Sequence, residues 1–171
     1  MPPCLRHQIS SPRTLRDKPY PLMTTAEICA LSVKEYCANN CWLFPWATPP
    51  KLNDAFEVIH AWGFHYRNIV YVWIKTSKDG VPISDKMGIR PTYTKTAWVE
   101  FVLCAGTTKT GRVTPINDDL HPSMICSRRR KHSEKPWEIG DLIVNQLGDL
   151  PRVELFARET RPCWDSWGNE I

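Results

Sequence analysis

Residues 68–75, with the sequence NIVYVWIK, and residues 98–105, with the sequence WVEFVLCA, decide the fold of this chain. Both segments are apolar and rich in β-branched and aromatic side chains, which predicts buried strands. No helical pattern separates them. Because a parallel pair needs a long crossover connection, usually a helix, we expect these two strands to pair antiparallel.

The sequence on either side of this pair has helical periodicity. Thr24 and Glu27 form a capping-box pattern before apolar residues at roughly helical spacing, which predicts a helix from about Thr25 to Cys37. Two more amphipathic helices are predicted where such spacing ends at a glycine: 52–62 before Gly63, and 136–147, with Pro136 at position N1, before Gly148.

Two further apolar segments, at 41–48 and 152–157, predict strands, and Pro45 is expected to mark a bulge or a strand end. The alternation of helices and strands predicts an α/β fold with a mostly parallel sheet, covered on both faces, and one antiparallel strand near an edge. A Rossmann-like methyltransferase and a dinucleotide-binding domain both have this architecture. The chain lacks G-x-G-x-x-G and the P-loop motif, which removes the main support for a dehydrogenase or a P-loop enzyme.

The length of 171 residues suits one domain over 1–171, with a Pro-rich extended loop at 1–23. No apolar run is long enough to span a membrane, and seven cysteines without a C-x-x-C pattern favour a reducing compartment, so we expect a cytoplasmic protein. Cys37 and Cys41 could bind zinc with His65 or His132, but no second pair of ligands matches them. No metal site is therefore predicted.

The net charge of +4 is concentrated in one segment. Arg128, Arg129, Arg130, Lys131 and Lys135 surround a single acidic residue, Glu134, so this segment carries as much net charge as the whole chain. Such a cluster suits the binding of a polyanion, and a solvated loop is the alternative.

Several blocks of sequence resemble the N(6)-adenine methyltransferases of the DPPW type, the family of the eukaryotic mRNA adenosine methyltransferase. The bacterial and phage members, often described as DNA adenine methylases, look most similar. The blocks occur in the order of the family over nearly the whole chain. They are MPPC (1–4), KPYPLMT (18–24), LFPWAT (43–48), VWIKT (72–76), HSEKP (132–136), VELFAR (153–158) and WDSWGNE (164–170).

The resemblance implies binding of S-adenosylmethionine and transfer of its methyl group to the exocyclic amine of adenine, in DNA more than in RNA. It assigns the cofactor site to Lys135, Phe156, Arg158, Asn169 and Glu170. At the target base it assigns the backbone carbonyls of Pro2 and Pro3, and the ring of Tyr20. A solvated lysine and an ordinary loop tyrosine are the alternatives for Lys135 and Tyr20. Arg128, Arg129, Arg130 and Lys131 would then track the phosphates of the nucleic acid.

The chain departs from the family at the DPPW motif. The acidic acceptor is replaced by Met1 and the stacking Trp by Cys4, and the family's central strand before the motif, which lies beside VELFAR, is missing. A truncated product, a degenerate binding protein and an enzyme that recruits its acceptor from elsewhere all fit this observation. The alternative to a methyltransferase is therefore an inactive subunit that binds nucleic acid or supports a partner chain. A protein partner could also cover the unpaired sheet edge.

Overall fold

The computed structural model describes residues 22–83, 98–107, 121–130, 134–168 and 171. The predicted Pro-rich loop therefore lies almost entirely outside the described residues. The single-domain organisation over 1–171 stays a prediction.

The larger sheet contains five strands: β1 (Trp42–Leu43), β2 (Trp46–Ala47), β3 (His65–Thr76), β4 (Val99–Gly106) and β5 (Met124–Arg128). Strand β4 pairs with β3 on one side and with the short β1 and β2 on the other, and β3 pairs with β5. All pairs with β4 are antiparallel, whereas β3 and β5 are parallel. Four described strands of this sheet therefore run in one direction and β4 in the other, which confirms the prediction of one antiparallel strand.

The antiparallel pairing of the two segments that decide the fold is confirmed. Ile69 lies opposite Leu103 and Tyr71 opposite Val102, with a register shift between the two pairs. Pro45 separates β1 from β2, as expected of a residue that has no backbone N–H to donate. Its carbonyl still accepts a hydrogen bond of 3.0 Å from the backbone N–H of Leu103, so the ladder continues across the interruption.

A second sheet consists of two short parallel strands, β6 (Val153–Leu155) and β7 (Asp165–Trp167). Strand β6 is shorter than the predicted 152–157 because Phe156 has a φ of 60°, a left-handed conformation that ends the strand. Neither β5 nor β7 was predicted from the sequence. Both are short and carry polar residues, so they resemble loops until a neighbouring strand supplies their hydrogen bonds.

The first helix is much shorter than predicted. Helix α1 spans Thr25–Cys29 behind the expected capping box of Thr24 and Glu27, and a 3₁₀ turn at Val33–Tyr36 follows it. The prediction of a continuous helix to Cys37 was wrong because the side chains of both Ile28 and Val33 pack against the core. In one continuous helix these two residues would point about 140° apart, so the break lets both face inward.

The other two helices agree with the prediction to within one residue. Helix α2 spans Leu52–Ala61 after a 3₁₀ turn at Pro49–Lys51, and helix α3 spans Trp137–Leu147. Helix α2 ends one residue earlier than predicted and α3 begins one residue later. Pro136 is the N-cap of α3 rather than its first residue. No helix within the described residues is long and apolar enough to cross a membrane.

The core lies on both faces of the larger sheet. Leu103 packs with Ile59 and Phe64 on the face covered by α1 and α2, while its neighbour Val102 packs with Ile139 of α3. Adjacent residues of a strand point to opposite faces, so the central strand β4 supplies apolar side chains to both layers. This arrangement confirms the prediction of a sheet covered on both faces.

We predict that Leu103→Ala lowers the free energy of unfolding by about 2–5 kcal/mol, because the side chain is fully buried and its truncation leaves a cavity. Urea denaturation followed by circular dichroism measures the change. Leu150→Ala is the control, since Leu150 is 51% exposed and its truncation should change the stability little. An equal effect of the two substitutions would contradict the central position of β4 in the core.

Candidate active site

A buried carboxylate bridges two lysines beside the larger sheet. Glu100 of β4 is 6% exposed, and its Oε1 accepts a hydrogen bond of 2.5 Å from Nζ of Lys75 near the end of β3. Its Oε2 accepts a hydrogen bond from Nζ of Lys135, which precedes the N-cap residue of α3. The three charges therefore connect β3, β4 and the start of α3.

The electrostatics of this cluster keep Glu100 ionised at neutral pH. Burial raises the pKa of the Glu100 carboxyl, but the nearby ammonium groups of Lys135 and Lys75 outweigh it and hold the pKa below its usual value. Two ammonium groups against one carboxylate leave one surplus positive charge. A partly buried site with this surplus is suited to an anionic ligand group.

Two indole rings line the same cluster. Nζ of Lys135 lies 5.0 Å from the ring centroid of Trp46, and Nζ of Lys75 lies 4.9 Å from that of Trp73. The two rings meet edge to face with their centroids 6.0 Å apart. Both lysines are thus held between a carboxylate and an aromatic face, which limits where their ammonium groups can lie.

Lys135 is a predicted cofactor residue, and its side chain belongs to this cluster. Its side chain is 30% exposed and bonded to Glu100, so it is not the freely solvated lysine of the alternative interpretation. Glu100 was missed by the sequence analysis. The sequence feature that could have identified Glu100 is its position as the single acidic residue inside the apolar strand WVEFVLCA. A charged residue in a buried strand needs a partner of opposite charge.

The predicted cofactor residue Phe156 lies at the end of β6. Its side chain is 42% exposed, and its ring meets the ring of Trp167 on β7 at a centroid distance of 5.5 Å. Arg158 follows two residues later and is half-buried. Asn169 and Glu170, like Pro2, Pro3 and Tyr20, lie outside the described residues, so their assigned roles stay predictions.

The segment after β6 is held against α3 by Arg161. Its guanidinium group lies over the rings of Trp137 and Trp164, at 5.4 and 5.2 Å from their centroids, and forms an ion pair with Asp141. A Cβ atom at Gly140 would lie 2.0 Å from Nη1 of Arg161. A glycine inside α3, which costs helix stability, therefore leaves the room that Arg161 occupies.

The basic segment begins where β5 ends. Arg128 lies opposite Thr76 at the end of β3, one residue beyond Lys75, so the arginines start at the same edge of the sheet as the charged cluster. Arg128, Arg129 and Arg130 are exposed, and Lys131 lies outside the described residues. Arg129 lies over the ring of Trp98, and Arg130 forms an exposed ion pair with Glu134 at 3.4 Å. The described arginines are thus partly anchored.

Within the described residues, no three or more His, Cys, Asp or Glu side chains lie together in a group that could hold a metal ion. Burial and the neighbouring Cys37 raise the pKa of the Cys41 thiol to about 11. At neutral pH this thiol is therefore protonated and poorly nucleophilic.

Comparison with known proteins agrees with this architecture. The MT-A70 family model matches residues 1–170. The chain is also 33% identical over 153 residues to the Type II methyltransferase M.MunI from Mycoplasma sp, an alignment that covers 89% of this chain. The chain spans 60% of the length of that relative. With an α/β sheet that carries one antiparallel strand, and with the family's sequence blocks along its length, the chain belongs to the MT-A70 family of S-adenosylmethionine-dependent, Rossmann-like methyltransferases.

Proposed function

We propose that this chain is a methyltransferase domain that uses S-adenosylmethionine to methylate the N(6) amine of adenine in DNA. The observation that carries the proposal is the cluster of Lys75, Glu100 and Lys135, whose surplus positive charge fits the carboxylate of the methionine portion of the cofactor. An ammonium group has three N–H donors, so Lys135 can bond to Glu100 and to a ligand carboxylate at once.

Within this proposal Glu100 orients Lys135 through its Oε2 atom, and the ammonium group of Lys75 at Oε1 compensates the negative charge of the buried carboxylate. When bound, S-adenosylmethionine supplies an electrophilic methyl group. Phe156, Arg158, Asn169 and Glu170 would hold its adenosine portion, as the family resemblance implies. The end of β6 is a suitable place, because open α/β sheets bind ligands at the carboxyl ends of their strands.

The chemistry at the target base calls for acceptors and an aromatic face. The exocyclic amine is a poor nucleophile, and positive charge grows on it as the methyl group arrives, so acceptors aimed at its N–H groups favour the reaction. The carbonyls of Pro2 and Pro3 are proposed as such acceptors, and the ring of Tyr20 is proposed to position the base. The target base must leave the stack or already be single-stranded.

DNA is favoured over RNA as the substrate because the sequence blocks look most similar to those of the bacterial and phage DNA adenine methylases. Arg128, Arg129, Arg130 and Lys131 are proposed to contact the phosphates near the site. A cytoplasmic location is part of the same proposal.

A second candidate function is that of an inactive subunit. Met1 and Cys4 stand where the family has the acidic acceptor and the stacking Trp, and this departure favours a chain that binds nucleic acid or supports a partner. We also propose a protein partner at the sheet edge. Among the described strands, β6, which contains the first residues of VELFAR, pairs on one side only, with β7, and such an edge can accept a strand from another chain.

Cofactor binding is the first test of this proposal. Lys135→Ala should weaken the binding of S-adenosylhomocysteine at least several-fold, because it removes the proposed carboxylate contact, and Lys135→Arg should retain part of the affinity. Isothermal titration calorimetry measures both. Lys78→Ala, at an exposed position in the turn after β3, is the control and should bind normally. An unmodified chain that releases no heat and shows no thermal shift with either S-adenosylmethionine or its product would refute cofactor binding.

We predict that the unmodified chain methylates adenine very slowly, because it lacks the side-chain acceptor and the stacking ring. Loss of one such acceptor typically reduces the rate by about a hundredfold to a thousandfold. Met1→Asp together with Cys4→Trp, placed behind an added N-terminal strand, should raise the rate of methyl transfer from labelled cofactor. Ordinary turnover by the unmodified chain would mean that the acceptor comes from elsewhere.

The salt dependence of DNA binding tests the basic segment. Replacing Arg128, Arg129 and Arg130 by Ala should flatten the log–log slope of affinity against salt by about two to three units, because each phosphate contact contributes about −0.7 to −0.9. Fluorescence anisotropy with a labelled oligonucleotide measures this slope.

The control for that experiment removes the same charge elsewhere, by replacing the exposed Lys34, Lys51 and Lys78 with Ala. Its slope should stay close to that of the unmodified chain, and cofactor affinity should change in neither triple variant. Equal slopes in the arginine variant and the unmodified chain would identify the segment as a solvated loop.

A further inference from the structure

We infer that Trp167 binds the adenine ring of the cofactor by stacking, beside Phe156. The inference rests on the proposed function, since it assigns one part of the cofactor to a side chain that the family resemblance did not assign. Four observations lead to it: the position of the ring at the strand ends, the exposure of the ring, the absence of a described lysine or arginine over it, and the close backbone contact at Gly168.

The position of Trp167 is set by the parallel pairing of β6 and β7. Leu155 lies opposite Trp167, and each is the last residue of its strand. Because the carboxyl ends of parallel strands meet at one edge, Phe156 and Trp167 are brought together there. This is the edge at which α/β sheets bind ligands, and Phe156 is already a proposed cofactor residue.

The ring of Trp167 is unusually accessible. All eight tryptophans lie in the described residues, and Trp167, at 50%, is the most exposed of them. Its ring and that of Phe156 are inclined at 70°. An edge-to-face pair leaves at least one face of each ring uncovered by the other, so a flat ligand can stack there.

Most of the other tryptophans differ from Trp167 because a described cation lies over the ring or because the ring is buried. Cations lie over the rings of Trp46, Trp73, Trp98, Trp137 and Trp164. Trp42 stacks with Phe44, and Trp62 is buried and donates to the carbonyl of Ile28. Within the described part of the chain no lysine or arginine lies over Trp167. A large exposed ring without a cation over it is more consistent with a ligand surface than with a structural contact.

The backbone beside the two rings is strained at Phe156 and closely packed at Gly168. Phe156 has a φ of 60°, which is unfavourable for a residue with a side chain. The backbone N–H of Ala157 donates to the carbonyl of Trp167 at 2.9 Å. A Cβ atom at Gly168 would lie 2.1 Å from the carbonyl oxygen of Ala157, so only a glycine permits this approach. Strained residues held by such contacts cluster at ligand sites.

The adenine ring of the cofactor is the occupant that these observations favour. An indole ring stacks well on a purine, and the exposed face lies beside a proposed cofactor residue rather than beside the basic segment. The adenine of the target nucleotide is the competing occupant, and the experiment separates the two.

The test compares Trp167→Leu and Trp167→Phe with the unmodified chain by titration with S-adenosylhomocysteine. Trp167→Leu should weaken binding about tenfold, the order expected for the loss of one stack, and Trp167→Phe should recover most of the affinity. Tyr36→Leu removes an aromatic ring that is 84% exposed on the 3₁₀ turn after α1 and should leave the affinity unchanged. A second titration, with a single-stranded adenine-containing oligonucleotide at saturating S-adenosylhomocysteine, should not distinguish the variants.

Iodide quenching of tryptophan fluorescence adds a measurement that a purely structural role would not affect. In the unmodified chain S-adenosylhomocysteine should shield Trp167 from iodide, and in Trp167→Phe this ligand-dependent shielding should disappear. If Trp167→Leu does not fold, the Phe variant still decides the question by this measurement.

Unchanged S-adenosylhomocysteine affinity in Trp167→Leu would overturn the inference, as would shielding that persists in Trp167→Phe. If Trp167→Leu weakened oligonucleotide binding but not S-adenosylhomocysteine binding, the ring would be assigned to the target base, and the inference would also be overturned. Failure of the proposed function is distinguishable, because the unmodified chain itself would then not bind S-adenosylhomocysteine.

Discussion

A single buried carboxylate couples the larger sheet to the helix that covers it. Glu100 is almost fully buried in β4 and is compensated by Lys75 from β3 and Lys135 from the start of α3. Removing one partner of such a buried pair typically costs about 3–5 kcal/mol, because the other charge is left without compensation. The positions of β3, β4 and α3 therefore depend on one another through this group. The same charges create the anion site proposed for the cofactor.

The second sheet is joined to α3 by a different kind of interaction. Arg161 lies between the rings of Trp137 and Trp164 and occupies the space left by Gly140. Planar guanidinium groups stack on aromatic faces while they keep their hydrogen bonds, so one side chain anchors the segment between β6 and β7. This anchor and the close contact at Gly168 limit the freedom of the edge that carries Phe156 and Trp167.

The proposed site has two parts, one for the cofactor and one for the target base. The part assigned to the cofactor includes Lys135, Phe156 and Arg158, which lie within three residues of the start of α3 or the end of β6. The part assigned to the target base is carried by the resemblance of residues 1–4 and Tyr20 to the family. Membership of the MT-A70 family connects the two parts, because the family model extends from residue 1 to residue 170.

The amino-acid sequence by itself determined the elements whose signals are local. The apolar runs of β3 and β4, the capping box at Thr24 and the amphipathic patterns of α2 and α3 each arise from residues close together in the chain. The family resemblance added Lys135 and Phe156 as site residues. Strand β7, with only three residues, has no comparable local signal.

Only the tertiary structure decided the features that depend on distant residues. Glu100 gains its role from Lys75 and Lys135, which lie 25 and 35 residues away. The break between α1 and the 3₁₀ turn depends on a core that both Ile28 and Val33 must reach. Phe156 and Trp167 meet because β6 and β7 pair in parallel. In each case the energy that decides the conformation comes from burial or from charge compensation between segments, and neither is encoded in the local pattern.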